Sequence, residues 1–273
     1  MFGDFEEYQS LLRSVEWPGL DDLNSLAHVG SPRFEAQTPA LLGDGLHYEA
    51  RINLRGQIAT RRDNWHDLLN ALVWLRYPAL KQALNARQVA DIATVGPRER
   101  TRAQCALTLF DEGGVIVVTN DDRLMEAWDR HDWSRLFGTL AASWQNGARV
   151  MVFGHALLEH ALEPPRLLVA KALVLTTPGD PRAPGVHDRA VARLAAAISG
   201  GTVLCDPQEL RPLPVSGLPG WDDTARGEQS RDQFLSEAEC FRPRADGRTY
   251  PAPLQLEYTS TDDDRPRMLG AHR

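Results

Sequence analysis

The sequence predicts an α/β or α+β fold, a mixed sheet with hairpins packed against several helices in a single domain. Three observations carry this reading. Apolar residues recur at helical spacing through 65–75 and 186–198. The runs 149–153 and 167–176 are short and, apart from Arg149, Lys171 and Thr176, apolar, as buried strands are. Helical and strand patterns alternate too closely for two separable cores over residues 1–200. Residues 201–242, rich in proline and glycine, are expected to dock on that body through Trp221 and Phe234. Residues 243–273, polar and rich in arginine and aspartate, are expected to form a loosely ordered tail, dispensable from about Pro243 onward.

In chain order, Phe5, Tyr8, Leu11 and Leu12 share one side of a short helix stopped at Trp17-Pro18-Gly19, and a second is expected over 20–27. Gly30-Ser31-Pro32 and Thr38-Pro39 bracket a connection. Tyr48, Ala50, Ile52 and Leu54 alternate with polar residues, which predicts a hairpin over 46–60 turning at Arg55-Gly56. Asp63 then caps a central helix whose apolar face carries Trp65, Leu68, Leu72 and Leu75. Tyr77-Pro78 ends it and Pro78 opens the next. A second hairpin is expected over 106–119, with Asp111-Glu112-Gly113-Gly114 at its tip. Helices follow from Asn120 or Asp121 and from Asp132, the latter closed at Asn146-Gly147. Gly154 turns the strand at 149–153 into a helix over 155–162, stopped by Pro164-Pro165.

Composition excludes several classes. A net charge of −7 gives no argument for a nucleic-acid or membrane partner. Lys81 and Lys171 are the only lysines, so 28 of the 30 basic residues are arginine, which reads as compositional bias. Cys105, Cys205 and Cys240 are odd in number and lack CxxC spacing, which fits a reducing cytoplasm better than a disulfide scaffold. The acidic start is unlike a signal peptide, and no apolar run approaches the roughly 20 residues a bilayer requires.

With these segments in place the chain resembles a bacterial family catalogued as domain of unknown function 3025. The likeness lies in Tyr48-Glu49-Ala50-Arg51-Ile52, in Thr60-Arg61 leading into the stretch from Asn64 to Leu75, and in Lys81-Gln82-Ala83-Leu84-Asn85-Ala86. It continues through Leu107-Thr108-Leu109-Phe110-Asp111-Glu112 and Phe153-Gly154-His155-Ala156-Leu157-Leu158-Glu159. It closes with Gly217-Leu218-Pro219-Gly220-Trp221 and Phe241-Arg242-Pro243-Arg244. The sequence departs at Gln233-Phe234, where the family would often show Phe-Tyr before its last motif. The resemblance spans roughly residues 30 to 244 and implies no activity.

Four residues interrupt otherwise apolar elements with groups able to carry chemistry. His66 stands on the central helix with Asn70 one turn on. Asp111 stands beside Glu112 at the expected hairpin tip, and His155 and Glu159 lie one turn apart after Gly154. Should they converge, His66, Asp111, His155 and Glu159 form a catalytic set, and His66, Asp111 and His155 the ligands of a divalent metal ion in a hydrolase. The competing reading is a non-catalytic, partner-binding protein whose His, Asn and Asp residues knit a buried network and leave no pocket. The spacing is not HExxH, and no GxSxG, phosphate loop or dinucleotide fingerprint is present. A hairpin followed by a helix bearing His66 and Asn70 is similar to ββα-metal nucleases, although His47 stands at the beginning of the first strand rather than its end. Close approach of His66 to His155 would favour the site; separation would favour the network.

Overall fold

The computed structural model describes residues 2–163, 167–221 and 227–257. A 3-10 segment (Phe2–Tyr8) runs into α1 (Gln9–Leu12) and buries Phe5 and Tyr8. After α2 (Leu20–Ser25) come β1 (Arg33–Ala36), α3 (Pro39–Leu42), α4 (Tyr48–Arg55) and β2 (Gln57–Thr60). β1 and β2 pair in parallel, so the hairpin expected over 46–60 is replaced by a helix and a strand with a partner elsewhere. The alternation that suggested it does not match the burial. Leu54, inward in a hairpin, is 67% exposed, whereas Arg51 is buried in a two-point ion pair with Asp44. Gly56, in the left-handed region at φ 61°, closes the helix by donating its N–H to the Ile52 carbonyl.

The central helix α5 (Trp65–Arg76) stands as the pattern predicts, and α6 (Pro78–Val95) starts one residue later at the proline. The cap is Asn64 rather than Asp63. The Asn64 side chain accepts the Asp67 N–H at 3.0 Å, while Asp63 sits in a left-handed turn. Leu68, Leu69 and the run from Ala71 to Leu75 are buried, but Trp65 is 41% exposed and packs edge to face with Trp17. Trp65→Ala is therefore expected to cost about 1 kcal/mol, the scale of one aromatic pair, when read from a denaturant midpoint.

The second expected hairpin is also helical in its first half. Thr101 and Gln104 form a capping box that starts α7 (Arg102–Gly113), and β3 (Gly114–Thr119) follows without a turn. Asp111 and Glu112 thus lie in a last helical turn. Next come α8 (Asp122–Asp129), capped by Asp121, a π-helical turn (Ser134–Thr139), α9 (Ala141–Gly147), β4 (Ala148–Val152) and α10 (His155–His160). β5 (Val169–Thr176), α11 (Val186–Ser199), β6 (Arg211–Pro214), α12 (Arg231–Glu237) and β7 (Leu254–Gln255) complete the chain.

The main sheet runs β4-β3-β5-β6. β3 and β5 are parallel, β4 and β6 antiparallel to their neighbours, and β7 pairs in parallel with the far end of β5. The fold is α/β to α+β with a mixed sheet, as the sequence predicts, but no two strands of it form a tight hairpin among the described residues. The boundary expected at residue 200 does not divide the sheet, because β6 and β7 both lie along β5. The expected loose tail is corrected for residues 243–257, where β7 pairs and Leu256 is buried; residues 258–273 lie outside the described set. Truncation after Pro243 should consequently cost about 2 kcal/mol, the burial of one leucine, measured as a lowered unfolding midpoint. Among the described residues no helix is long and apolar enough to cross a membrane.

Candidate active site at a histidine pair

Four helix ends build the site. His66 lies in the first turn of α5, His155 opens α10, Asp111 lies in the last turn of α7, and Lys81 rises from α6. α10 packs on both α5 and α7. Two glycines permit that approach. A β-carbon on Gly154 would stand 2.4 Å from the Glu112 carbonyl and the Gly114 nitrogen, and one on Gly114 would meet the Phe110 carbonyl at 2.2 Å. Gly154 instead donates its N–H to the Gly114 carbonyl at 2.8 Å, which sets His155 against the end of α7.

The two imidazoles then meet edge to face, Nε2 to Nε2 at 3.0 Å. Their other nitrogens are engaged. His155 Nδ1 lies 2.9 Å from the Asp111 carbonyl, an acceptor only, so Nδ1 carries the proton. His66 Nδ1 lies 2.8 Å from Glu159 Oε2, which fixes the same tautomer on that ring. In their neutral forms both Nε2 atoms would present lone pairs to one another, a repulsive contact that one proton or one metal cation relieves. Burial, only partly offset by Asp111, pushes the His155 pKa down to about 4, so the His155 ring is neutral at neutral pH and its Nε2 carries no proton.

Beside the pair runs a second chain of contacts. The Lys81 ammonium, 5% exposed, donates to Asp111 Oδ1 at 2.6 Å and to Asn70 Oδ1 at 2.8 Å, and lies over the Trp74 ring. Asn70 donates in turn to the Tyr48 hydroxyl at 3.1 Å. Burial raises the Asp111 pKa, but the charges of Lys81 and His155 outweigh it and hold the carboxyl below its ordinary value. Burial lifts the pKa values of Tyr48 and Glu49. Glu49 accepts a hydrogen bond from Asn85 at 2.6 Å. All of these side chains line one cavity of about 360 Å³, with Arg61, Arg100 and Gln104 in its wall. His66 and Glu159 are 36% and 37% exposed.

Of the residues singled out in the sequence, His66, His155 and Glu159 come together directly. Asp111 joins through its backbone carbonyl, while its carboxylate turns to Lys81 and stays 3.9 Å from His155 Nδ1. Among the described residues no group of three or more His, Cys, Asp or Glu is placed to hold a metal ion, so the expected set of His66, Asp111 and His155 is not assembled as three ligands. The hairpin that a ββα-metal site requires is absent, and Asn70 serves Lys81. Lys81 and Tyr48 were missed. Lysine occurs only at Lys81 and Lys171 against 28 arginines, a signal that was legible as composition but not as position.

A family model described as Protein of unknown function (DUF3025) matches residues 33–245. The chain belongs to this family. No curated protein and no solved structure matches it. The matched span of this DUF3025 chain contains every residue of the histidine pair and of the Lys81 network.

Proposed function

We propose that this DUF3025 chain is a hydrolytic enzyme that activates water at the paired Nε2 atoms of His66 and His155. One observation carries the reading: both rings turn Nε2 toward each other because their Nδ1–H groups donate to Glu159 and to the Asp111 carbonyl. In this arrangement His66, oriented by Glu159, is the general base, His155 is its neutral proton-relay partner, and Lys81 supplies positive charge where an oxyanion would develop. The reading of a sealed structural network is less favoured, because the polar groups pair with one another yet His66 and His155 line a cavity, and His66 and Glu159 are each about one-third exposed. Free thiols at Cys105, Cys205 and Cys240 support action in a reducing cytoplasm.

A second reading, a divalent ion between His66 and His155 with water completing its shell, is favoured by the oxygen acceptors behind both rings, an arrangement typical of metal-bound histidine. The test is hydrolysis of nitrophenyl esters and phosphoesters by the full chain, with and without zinc or manganese. His66→Ala should lower the rate by about 10²–10⁴-fold while folding is kept. Equal rates for parent and variant would refute the site. A rate that depends on added ion, with calorimetric binding lost in both His66→Ala and His155→Ala, would select the metal reading over the proton pair.

A further inference from the structure

Both lysines of this arginine-rich chain stand in cavities, and the second cavity is remote in sequence and chemistry from the first. Lys171 lies in β5, in register with Gly114 of β3 and Pro212 of β6. Its side chain faces a cavity of about 790 Å³ together with Leu167, Val169, Trp133, Arg248 and Tyr250. Lys81 has a carboxylate and an amide on its ammonium group, whereas Lys171 has no ion pair or side-chain hydrogen bond among the described residues. It is only partly exposed, and the like charge of Arg248 acts on it. Burial and Arg248 both push its pKa down. Arg248 is held in place over the Tyr250 ring at 4.7 Å, donating to the Gln208 and Leu210 carbonyls. The two carboxylates of the wall, Glu239 and Asp246, are exposed and pair with neither cation.

A desolvated ammonium beside a guanidinium, without a counter-ion, is unfavourable for the fold by itself. It becomes favourable when an anion enters, and the apolar wall of Leu167, Val169 and Trp133 offers contact to a flat hydrocarbon body. We propose that this cavity binds an organic anion, its carboxylate or sulfonate on Lys171 and Arg248 and its apolar body on that wall. The site is independent of the histidine pair.

The test uses anilinonaphthalene sulfonate as the anionic probe and phenylnaphthylamine as its uncharged relative, each titrated by fluorescence into the full chain. The parent should bind the sulfonate at one saturable site and the amine more weakly. Lys171→Met should weaken sulfonate binding about tenfold or more, the scale of a charge-assisted hydrogen bond, and leave the amine unchanged. Lys171→Arg, which keeps the charge, should retain most of the affinity, and His66→Ala all of it. The thermal midpoint of Lys171→Met without probe should equal or exceed that of the parent, because an unpaired charge has been removed. Unchanged sulfonate binding in Lys171→Met, or none in the parent, would overturn the site. So would a lowered midpoint in both Lys171→Met and Lys171→Arg, which would make Lys171 a packing residue.

Discussion

Gly154→Ala is expected to destabilise the protein by about 3 kcal/mol or more, at or beyond the top of the usual range for overpacking. The expected clash is with backbone on both counts, the Glu112 carbonyl and the Gly114 nitrogen at 2.4 Å, so no side chain can swing aside to relieve it. The only relief is to move α10 off the α7–β3 junction. That movement would break the Gly154 N–H to Gly114 carbonyl bond and carry His155 away from both His66 and Asp111. The substitution should therefore lower the denaturant midpoint and abolish the histidine pairing together. A variant as stable as the parent would mean that the junction is looser than its contacts indicate.

The second large effect is acid sensitivity. The His155 pKa is held at about 4 in the fold, below the ordinary histidine value of about 6.5 expected once unfolded. Above about pH 6.5 both states leave the ring neutral and stability is complete with respect to this group. As pH falls from about 6.5 to about 4 the unfolded chain takes up a proton that the folded chain refuses. The loss grows to about 3 kcal/mol at the lower end. Asp4 and Glu49, whose pKa values burial raises, act in the opposite sense, and Asp111, held low, begins to contribute a loss only toward more acidic pH. The signature is hence a difference: His155→Gln should flatten the stability profile between pH 4 and 6.5 relative to the parent. Parallel profiles would show that the ring titrates normally.

Much of the frame was legible because particular residues leave few alternatives. Tyr77-Pro78 can only separate two helices at that point, and Gly154 between an apolar strand and a helix marks the junction that places His155. The two expected hairpins failed for a common reason. Over eight residues or so, an amphipathic helix such as α4 also shows apolar residues two apart, and only burial reveals that Arg51 rather than Leu54 points inward. The capping box of Thr101 and Gln104 was the local signal that could have assigned α7 correctly. β6 and β7 escaped notice because they are short and lie at the sheet edge, where Pro212 and Pro214 are tolerated. In the site, the residue types of His66, His155 and Glu159 were sufficient to select them. The partner of Asp111 was not legible, since nothing in the spacing of Lys81 and Asp111 tells that α6 and α7 bring them to 2.6 Å.

The central claim is that the two rings carry their protons on Nδ1 and converge through Nε2. Nitrogen-15 NMR of the imidazoles in the full chain at neutral pH reads this directly. The expected result is a protonated Nδ1 on both rings and an unprotonated Nε2 on His155, with the His66 and His155 Nε2 signals shifting together when zinc or acid is added. A His155 ring protonated on Nε2 and bare on Nδ1, or two rings that respond independently, would contradict the account.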